Sequence, residues 1–405
     1  LRGLRPLARL WLPDVVFFLL VGIAIGPFGF RLIEFGPQNP MVRTIFFGGA
    51  AVILFEGGQQ IELQVLGRTW LAVTSLATSG VVISAAVMTG FVRLAYGWPW
   101  LQCMLLAAVL APTDPAVIVP LLTRLKIGSK VRQVVISEAA ANDATGAALA
   151  MVLTGAALRG GAFSPLAMGE VFVRSAAAGV VVGVVVGAVV ALLRSIAVFG
   201  LLHHWCARVW DVATLLAGAI GAYLGAESVG GAGYMAAFVA GVTLSALVST
   251  RRAQIKKCAH VDFQSAKQPA SRGHVSDPAV APLRFLMFTL LGAQANLALL
   301  ARSWTVIGGA ALCLMVVARP LSVWGAVSWD PINRWRTREL LFIASVRETG
   351  VIPAALVASL LALHVPHAQQ MATTVFAVIL ATVLIQSPTM GLVAHWLRQD
   401  AGDGP

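Results

Sequence analysis

Charge is what this sequence has least of. Asp, Glu, Lys and Arg make up 11% of its 405 residues, against 58% hydrophobic residues and a mean hydropathy of +0.84. That balance excludes a water-soluble domain and leaves a polytopic membrane protein. Acidic side chains are the scarcer sign, 17 against 29 basic ones. The resulting +12 would suit nucleic acid, but in a membrane protein surplus Lys and Arg mark cytoplasmic loops. Cysteine is nearly missing. Cys103, Cys206, Cys258 and Cys313 stand far apart without C-x-x-C or paired-histidine spacing, which excludes a structural zinc site or a disulfide framework. They read as small apolar fillers. There is no solenoid repeat and no carbonyl-lined filter signature. Nor does the ordered basic, apolar and small-residue pattern of a cleaved signal precede the first apolar run. The chain opens on Leu1, and an N-terminal piece is expected to be missing.

What is present is a series of long apolar runs. With about 20 apolar residues needed to cross the hydrocarbon core, twelve spans are expected near 12–30, 42–57, 69–95, 98–123, 132–158, 166–194, 209–228, 230–249, 280–300, 304–328, 338–362 and 369–396. The sixth, nearly all Ala, Gly and Val over 176–190, is either a close-packing helix or a lipid-facing one. Loop arginines and lysines divide 20 to 6 between alternate loops, which puts both ends of the chain in the cytoplasm. Residues 1–249 are expected as a first membrane bundle that runs into the start of a second repeat. Residues 250–279 follow as a basic cytoplasmic loop, 280–396 as the rest of the second repeat, and 397–405 as a tail. The basic loop is either plainly solvated or drawn to anionic lipid.

Two neighbouring stretches concentrate the polar groups: Ala111-Pro112-Thr113-Asp114-Pro115 and Ser137-Glu138-Ala139-Ala140-Ala141-Asn142-Asp143. Buried ionisable groups at membrane depth cost roughly 3 kcal/mol or more each, so three carboxylates in two adjacent spans point to function. Pro112 and Pro115 lack an N–H and should interrupt the fourth span, freeing carbonyl oxygens beside Asp114. Broken helices of this kind hold small cations in transporters. Asp143 sits mid-span with no basic residue within a helical turn. Desolvation there disfavours a permanent charge, so the group can hold a proton or a cation, though not both. The alternative is a carboxylic acid that stays protonated in a helix interface.

Glu138 stands one turn before Asn142, so the two share a face. A structural role for Glu138 weighs above a ligand role, because a buried carboxylate needs a cationic partner. Arg319, in Val317-Ala318-Arg319-Pro320 of the tenth span, is that expected partner. For Asp114 a cation-site or helix-dipole role competes with a simple N-cap. The eleventh span carries Arg347 and Glu348 beside Gly350 and Pro353, an echo of the fourth that suggests an inverted repeat. Arg347 could compensate the ends of broken helices, or Glu348 could pair with it and silence both. Glu56, near a span end, is expected to be solvated. His203, His204, His364 and His367 are expected in loops, and Asp14 and Asp211 as N-terminal caps.

Several motifs together resemble the monovalent cation/proton antiporters of the sodium/proton exchanger type, NhaP-like branch. They are Gly22 to Pro27, Phe55-Glu56-Gly57-Gly58, Thr113-Asp114-Pro115, Glu138 followed by Asn142-Asp143-Ala144-Thr145, Arg319 and Arg347. The resemblance implies an all-α inverted-repeat antiporter fold with two crossed, partly unwound helices. The family has thirteen spans with the first N-terminus outside, so twelve spans and a cytoplasmic start fit the loss of one. It further implies Asp143 as the exchanging carboxylate, with Asp114 and Thr113 holding Na+ beside it. Asn142 is implied as a structural partner, Glu138 as paired with Arg319, and Arg347 as lying near the crossing. Three departures stand out. The usual serine after the glutamate is Ala139, with Ser137 on the other side as a candidate ligand. Glu348 replaces a usual glycine. The first helix, used at or near the family's dimer interface, is expected to be among the missing residues.

The resulting expectation is a secondary antiporter, not an enzyme and without a cofactor, that exchanges a monovalent cation for H+ by alternating access. Na+ comes first and K+ is the alternative, and the resemblance implies electroneutral exchange, which goes with the Asn-Asp pair in the family. Its partners would be the cation, the proton, the bilayer and a second copy, with no nucleic acid, in a bacterial inner membrane. An organic-ion transporter of related crossed-helix fold is the main rival. An intramembrane aspartyl protease using Asp114 and Asp143 is weaker, since neither aspartate has a Tyr-Asp or Gly-x-Gly-Asp context and Arg319 would have no role.

Overall fold

Where no water reaches the backbone, N–H and C=O groups must pair within their own segment, and the apolar runs therefore close into helices. The computed structural model describes residues 14–27, 29–32, 36, 38–61, 63–114, 122, 127–159, 164–199, 204–259 and 277–399, with no strand among them. The first half holds α1 (Asp14–Ile25), α2 (Pro40–Gln59), α3 (63–96, with a π turn at Leu76–Gly80), α4 (Trp100–Leu110) and α5 (Ser129–Arg159). Then come α6 (Pro165–Phe199), α7 (His204–Ser228) and α8 (Gly233–Ala259). The second half holds α9 (Asp277–Ala293), α10 (Leu297–Arg302), α11 (304–327, with a π turn at Cys313–Ala318), α12 (Thr337–Ser345), α13 (Val351–Ala362) and α14 (Ala368–Gln399).

The halves echo each other. A helix with a central π turn precedes an interrupted helix both times, α3 before α4 and α11 before α12 and α13. Six described helices are long and apolar enough to cross a membrane (α2, α3, α6, α8, α11 and α14), and four shorter apolar ones include α4 and α13. Those two are short because the chain leaves the helix inside the bundle. The helix α8 runs on to Ala259, ten residues into the segment expected as loop from 250, while 260–276 lie outside the described residues.

Small residues set the packing distances, as apolar contact in lipid favours close backbone approach. At Gly179, Gly183 and Gly187 of α6 an added Cβ would come within 2.6, 2.6 and 2.5 Å of the carbonyls of Ala232, Ala236 and Ala240 along α8. The opposite face of α6 exposes Val180, Val181, Val184, Val185 and Val189. Both readings of this span hold, one for each face. Gly22 seats α1 against the backbone of Thr289, Gly292 and Ala293 in α9, and Gly58 seats α2 against Phe238 in α8. That is why two of the sequence motifs are glycine-rich. The helix α5 lies at the centre, packed on α3, α4, α8 and α13.

Candidate functional site: a crossing of two interrupted helices

The helix α4 stops at Leu110, and 111–114 continue without helical hydrogen bonding. In the other half, 346–350 separate α12 from α13. Pro353, in the first turn of α13, needs no donor there. The two non-helical stretches cross and satisfy each other. The Asp114 N–H donates to the Glu348 carbonyl at 2.8 Å, and Asp114 Oδ2 accepts from the Val351 N–H at 3.1 Å. The carboxylate thus caps the positive end of α13. The helix end it meets belongs to the other repeat; residues 115–121, including Pro115 and the expected following half-helix, lie outside the described residues. Gly350 makes this contact feasible, since a Cβ there would overlap the Asp114 carboxylate.

Arg347 completes the crossing from the opposite charge. Its guanidinium donates to the carbonyl of Leu110 at 2.7 Å, the last residue of α4, where helix carbonyls present negative charge. It also lies within electrostatic reach of Glu138, Asp143 and Arg319. Glu348 is fully buried at the same crossing.

The helix α5 brings its polar face to this point. Asn142 Oδ1 accepts from the Thr113 N–H at 2.9 Å, and its Nδ2 donates to Thr113 Oγ1 and to Glu138 Oε1, both at 2.8 Å. Arg319 donates to Glu138 Oε1 at 2.8 Å and Oε2 at 3.0 Å, a two-pronged pair with both side chains nearly out of reach of solvent. Both Glu138 oxygens are therefore engaged, which fits a structural role better than a ligand role. Pro112 packs into Gly146, whose added Cβ would lie 2.7 Å from Pro112 Cγ. Asp143 is 4% exposed and faces Asp114, Glu138 and Arg347, and its Oδ1 has no hydrogen-bond partner among the described residues. A buried carboxylate oxygen left open beside an interrupted helix can take a proton or a small cation.

Ser137 is not brought to the crossing. Its hydroxyl accepts from Gln133 at 3.3 Å on its own helix. Glu56 corrects another expectation. It is 1% exposed and pairs with Arg284 of α9 at 3.0 Å, because α9 crosses α2 where Gly49 admits Met287. An arginine inside the apolar run Pro282-Leu283-Arg284-Phe285 was the signal for this pair. Asp211 lies inside α7 and pairs with Arg194 at 3.2 Å, not capping a helix. Asp14 is the first residue of α1, an acidic side chain in its first turn. His364 and His367 lie in the turn between α13 and α14, where His367 stacks on Trp98 with ring centroids 4.5 Å apart. His203 lies outside the described residues, and His204 is the first residue of α7. Missed altogether were Thr382 and Gln386 of α14, polar residues in the apolar run 377–386, which meet the backbone of 347–349.

Residues 2–396 match the family model for the sodium/hydrogen exchanger, transmembrane. The chain belongs to that family. It is similar to the K+/H+ antiporter NhaP2 of Shewanella oneidensis, 24% identical over 99% of this chain and 66% of the relative. It is also similar to the low-affinity Na+/H+ antiporter NhaS1 of Synechocystis, 27% identical over 97% of this chain and 71% of that one. The chain thus spans just under two thirds of the NhaP2 length. Among solved structures, the sodium proton antiporter MjNhaP1 of Methanocaldococcus jannaschii superposes with a TM-score of 0.74 at 23% identity, covering 97% of this chain and 94% of that one. This exchanger-family chain therefore has the inverted-repeat antiporter fold, a multi-pass membrane architecture in which α4 and the α12–α13 pair are the unwound helices.

Proposed function

We propose that this chain exchanges a monovalent cation for H+ across the membrane, with Na+ as the preferred ion, by alternating access of the crossing to the two sides. The observation that carries this reading is Asp143: buried at the crossing, with an open carboxylate oxygen beside Asp114 and the Thr113 backbone. Binding a cation requires the ionised form, and a proton on the same group removes it. One competition therefore couples two opposite movements. Asp114 and the freed Thr113 carbonyl supply further oxygens, Asn142 holds Thr113 in register, and Glu138 with Arg319 ties α5 to α11. With one exchanging acid, one proton moves for each cation, the electroneutral case. The crossed helices move against a scaffold that includes α2, α6 and α8.

K+ for H+ is the second reading, supported by the relatives named K+/H+ antiporters. We place the protein in a bacterial inner membrane as a homodimer. The test is purified protein in liposomes with an imposed pH gradient, challenged with Na+, Li+ and K+ in turn. Cation-dependent collapse of the gradient is expected, strongest with Na+ and lost in Asp143→Asn. Undiminished exchange by Asp143→Asn would defeat the assignment of that carboxylate.

A further inference from the structure

The unwound stretch 346–350 has lost its helical hydrogen bonds, and in a membrane interior each backbone donor left open costs free energy that no water offsets. The replacements come from elsewhere. Val351 donates to Asp114, as described, and Val346 to Ile343 of α12, but the donors of Arg347 and Thr349 are met by α14. The Arg347 N–H donates to Gln386 Oε1 at 3.0 Å, and the Thr349 N–H to Thr382 Oγ1 at 3.3 Å. Both acceptors are buried. Thr382 donates its own hydroxyl proton to the Ile379 carbonyl at 3.1 Å, which turns its lone pairs toward Thr349. Gln386 and Thr382 are four residues apart, so one face of α14 acts as a template for the unwound backbone.

We propose that Gln386 and Thr382 are positioning residues of the exchange site: by fixing the backbone at 347 and 349 they hold the crossing of the two unwound stretches, with the Arg347 guanidinium and the Asp114 contacts, in the geometry that binds the cation. This rests on the exchange reading above. Arg347 spans two anchors, a backbone held by α14 and a guanidinium held by Leu110, and releasing one lets the charge move. The same stretch carries the contacts of Asp114, whose N–H meets the Glu348 carbonyl and whose Oδ2 meets the Val351 N–H, so a displaced backbone at 347–349 also moves the oxygens offered to the cation.

The experiment compares Thr382→Val, Thr382→Ser, Gln386→Met and wild type in proteoliposomes, reading cation KM and maximal rate for each. Wild type is measured first. If it moves no protons with Na+, K+ or Li+, the exchange reading fails, and the positioning claim falls with it. If wild type exchanges, Thr382→Val and Gln386→Met are expected to raise cation KM by about tenfold, equivalent to roughly 1.4 kcal/mol. The maximal rate should change much less. Thr382→Ser, which keeps the acceptor, should match wild type. A wild-type KM in Thr382→Val overturns the proposal, as does a Thr382→Ser protein altered as much as the valine variant. The Val and Ser pair is nearly isosteric with the native side chain, so it decides the matter even if Gln386→Met fails to assemble.

Discussion

Removing Arg319 should cost this protein much of its stability, and the size of the loss follows from what it leaves behind. Arg319 and Glu138 are 181 residues apart and meet through two hydrogen bonds of 2.8 and 3.0 Å, at side-chain exposures of 3% and 2%. Replacing the pair with apolar side chains removes two desolvation costs together, whereas removing one partner strands a buried charge and costs about 3–5 kcal/mol. Arg319→Met leaves Glu138 with only the Asn142 amide, the same amide that holds Thr113 in place. At about 2–4 °C per kcal/mol, the melting temperature in detergent should fall by roughly 6–20 °C, with a matching loss of folded yield. Glu138→Gln should behave alike for the opposite reason, since it strands the guanidinium. The double variant Glu138→Leu with Arg319→Met should recover most of the loss. An Arg319→Met protein that melts within about 2 °C of wild type and changes only its ion affinity would refute the reasoning, because Glu138 would then be a ligand and not a brace.

Other perturbations test other parts of the structure. Gly350→Ala should abolish exchange and lower yield, since its Cβ overlaps the Asp114 carboxylate that caps α13; full activity in liposomes would show that the crossing has more room than described. Arg284→Met should destabilise by about 3 kcal/mol, read as a fall in melting temperature, because Glu56 would be left buried without its cation. Outside the membrane, burial alone would raise the pKa of Asp330, but hydrogen bonds from the Asn333 amide, the Trp335 indole N–H and the Ile332 and Asn333 backbone hold it below the usual carboxylate range. A carboxylate lowered on folding stabilises above its unfolded value near about 4 and loses that contribution as pH falls through the folded one. Asp330→Asn should therefore melt lower than wild type at pH 7, with the gap closing in acid; a gap that widens in acid would reverse the sign.

The geometry also separates the exchange reading from a protease. Paired catalytic aspartates need both carboxylates turned to a common substrate, whereas Asp114 spends Oδ2 on the N-terminus of α13 and its N–H on Glu348. Arg319 and Arg347, which have no task in peptide hydrolysis, are both buried around the same acids.

Much of this protein was legible without coordinates, and the reason is the range over which local rules act. Apolar runs of membrane length dictate helices, prolines beside Asp114 dictate a break, and a four-residue spacing puts Glu138 and Asn142 on one face of α5. A buried glutamate calls for a buried cation, and Arg319 was a fitting candidate. What sequence could not decide was which distant groups meet once helices cross. Glu56 looked solvated until α9 delivered Arg284, and the Ser137 hydroxyl, a candidate ligand, bonds Gln133 one turn back on its own helix. Asp114 found its helix end in the opposite repeat, and α14 supplied acceptors to an unwound strand that no motif connects with it. Helical geometry relates residues only within about four positions along the chain. Contacts between residues hundreds apart depend on interhelical distances, which here are set by glycines that let backbones touch, and those only the assembled bundle reveals.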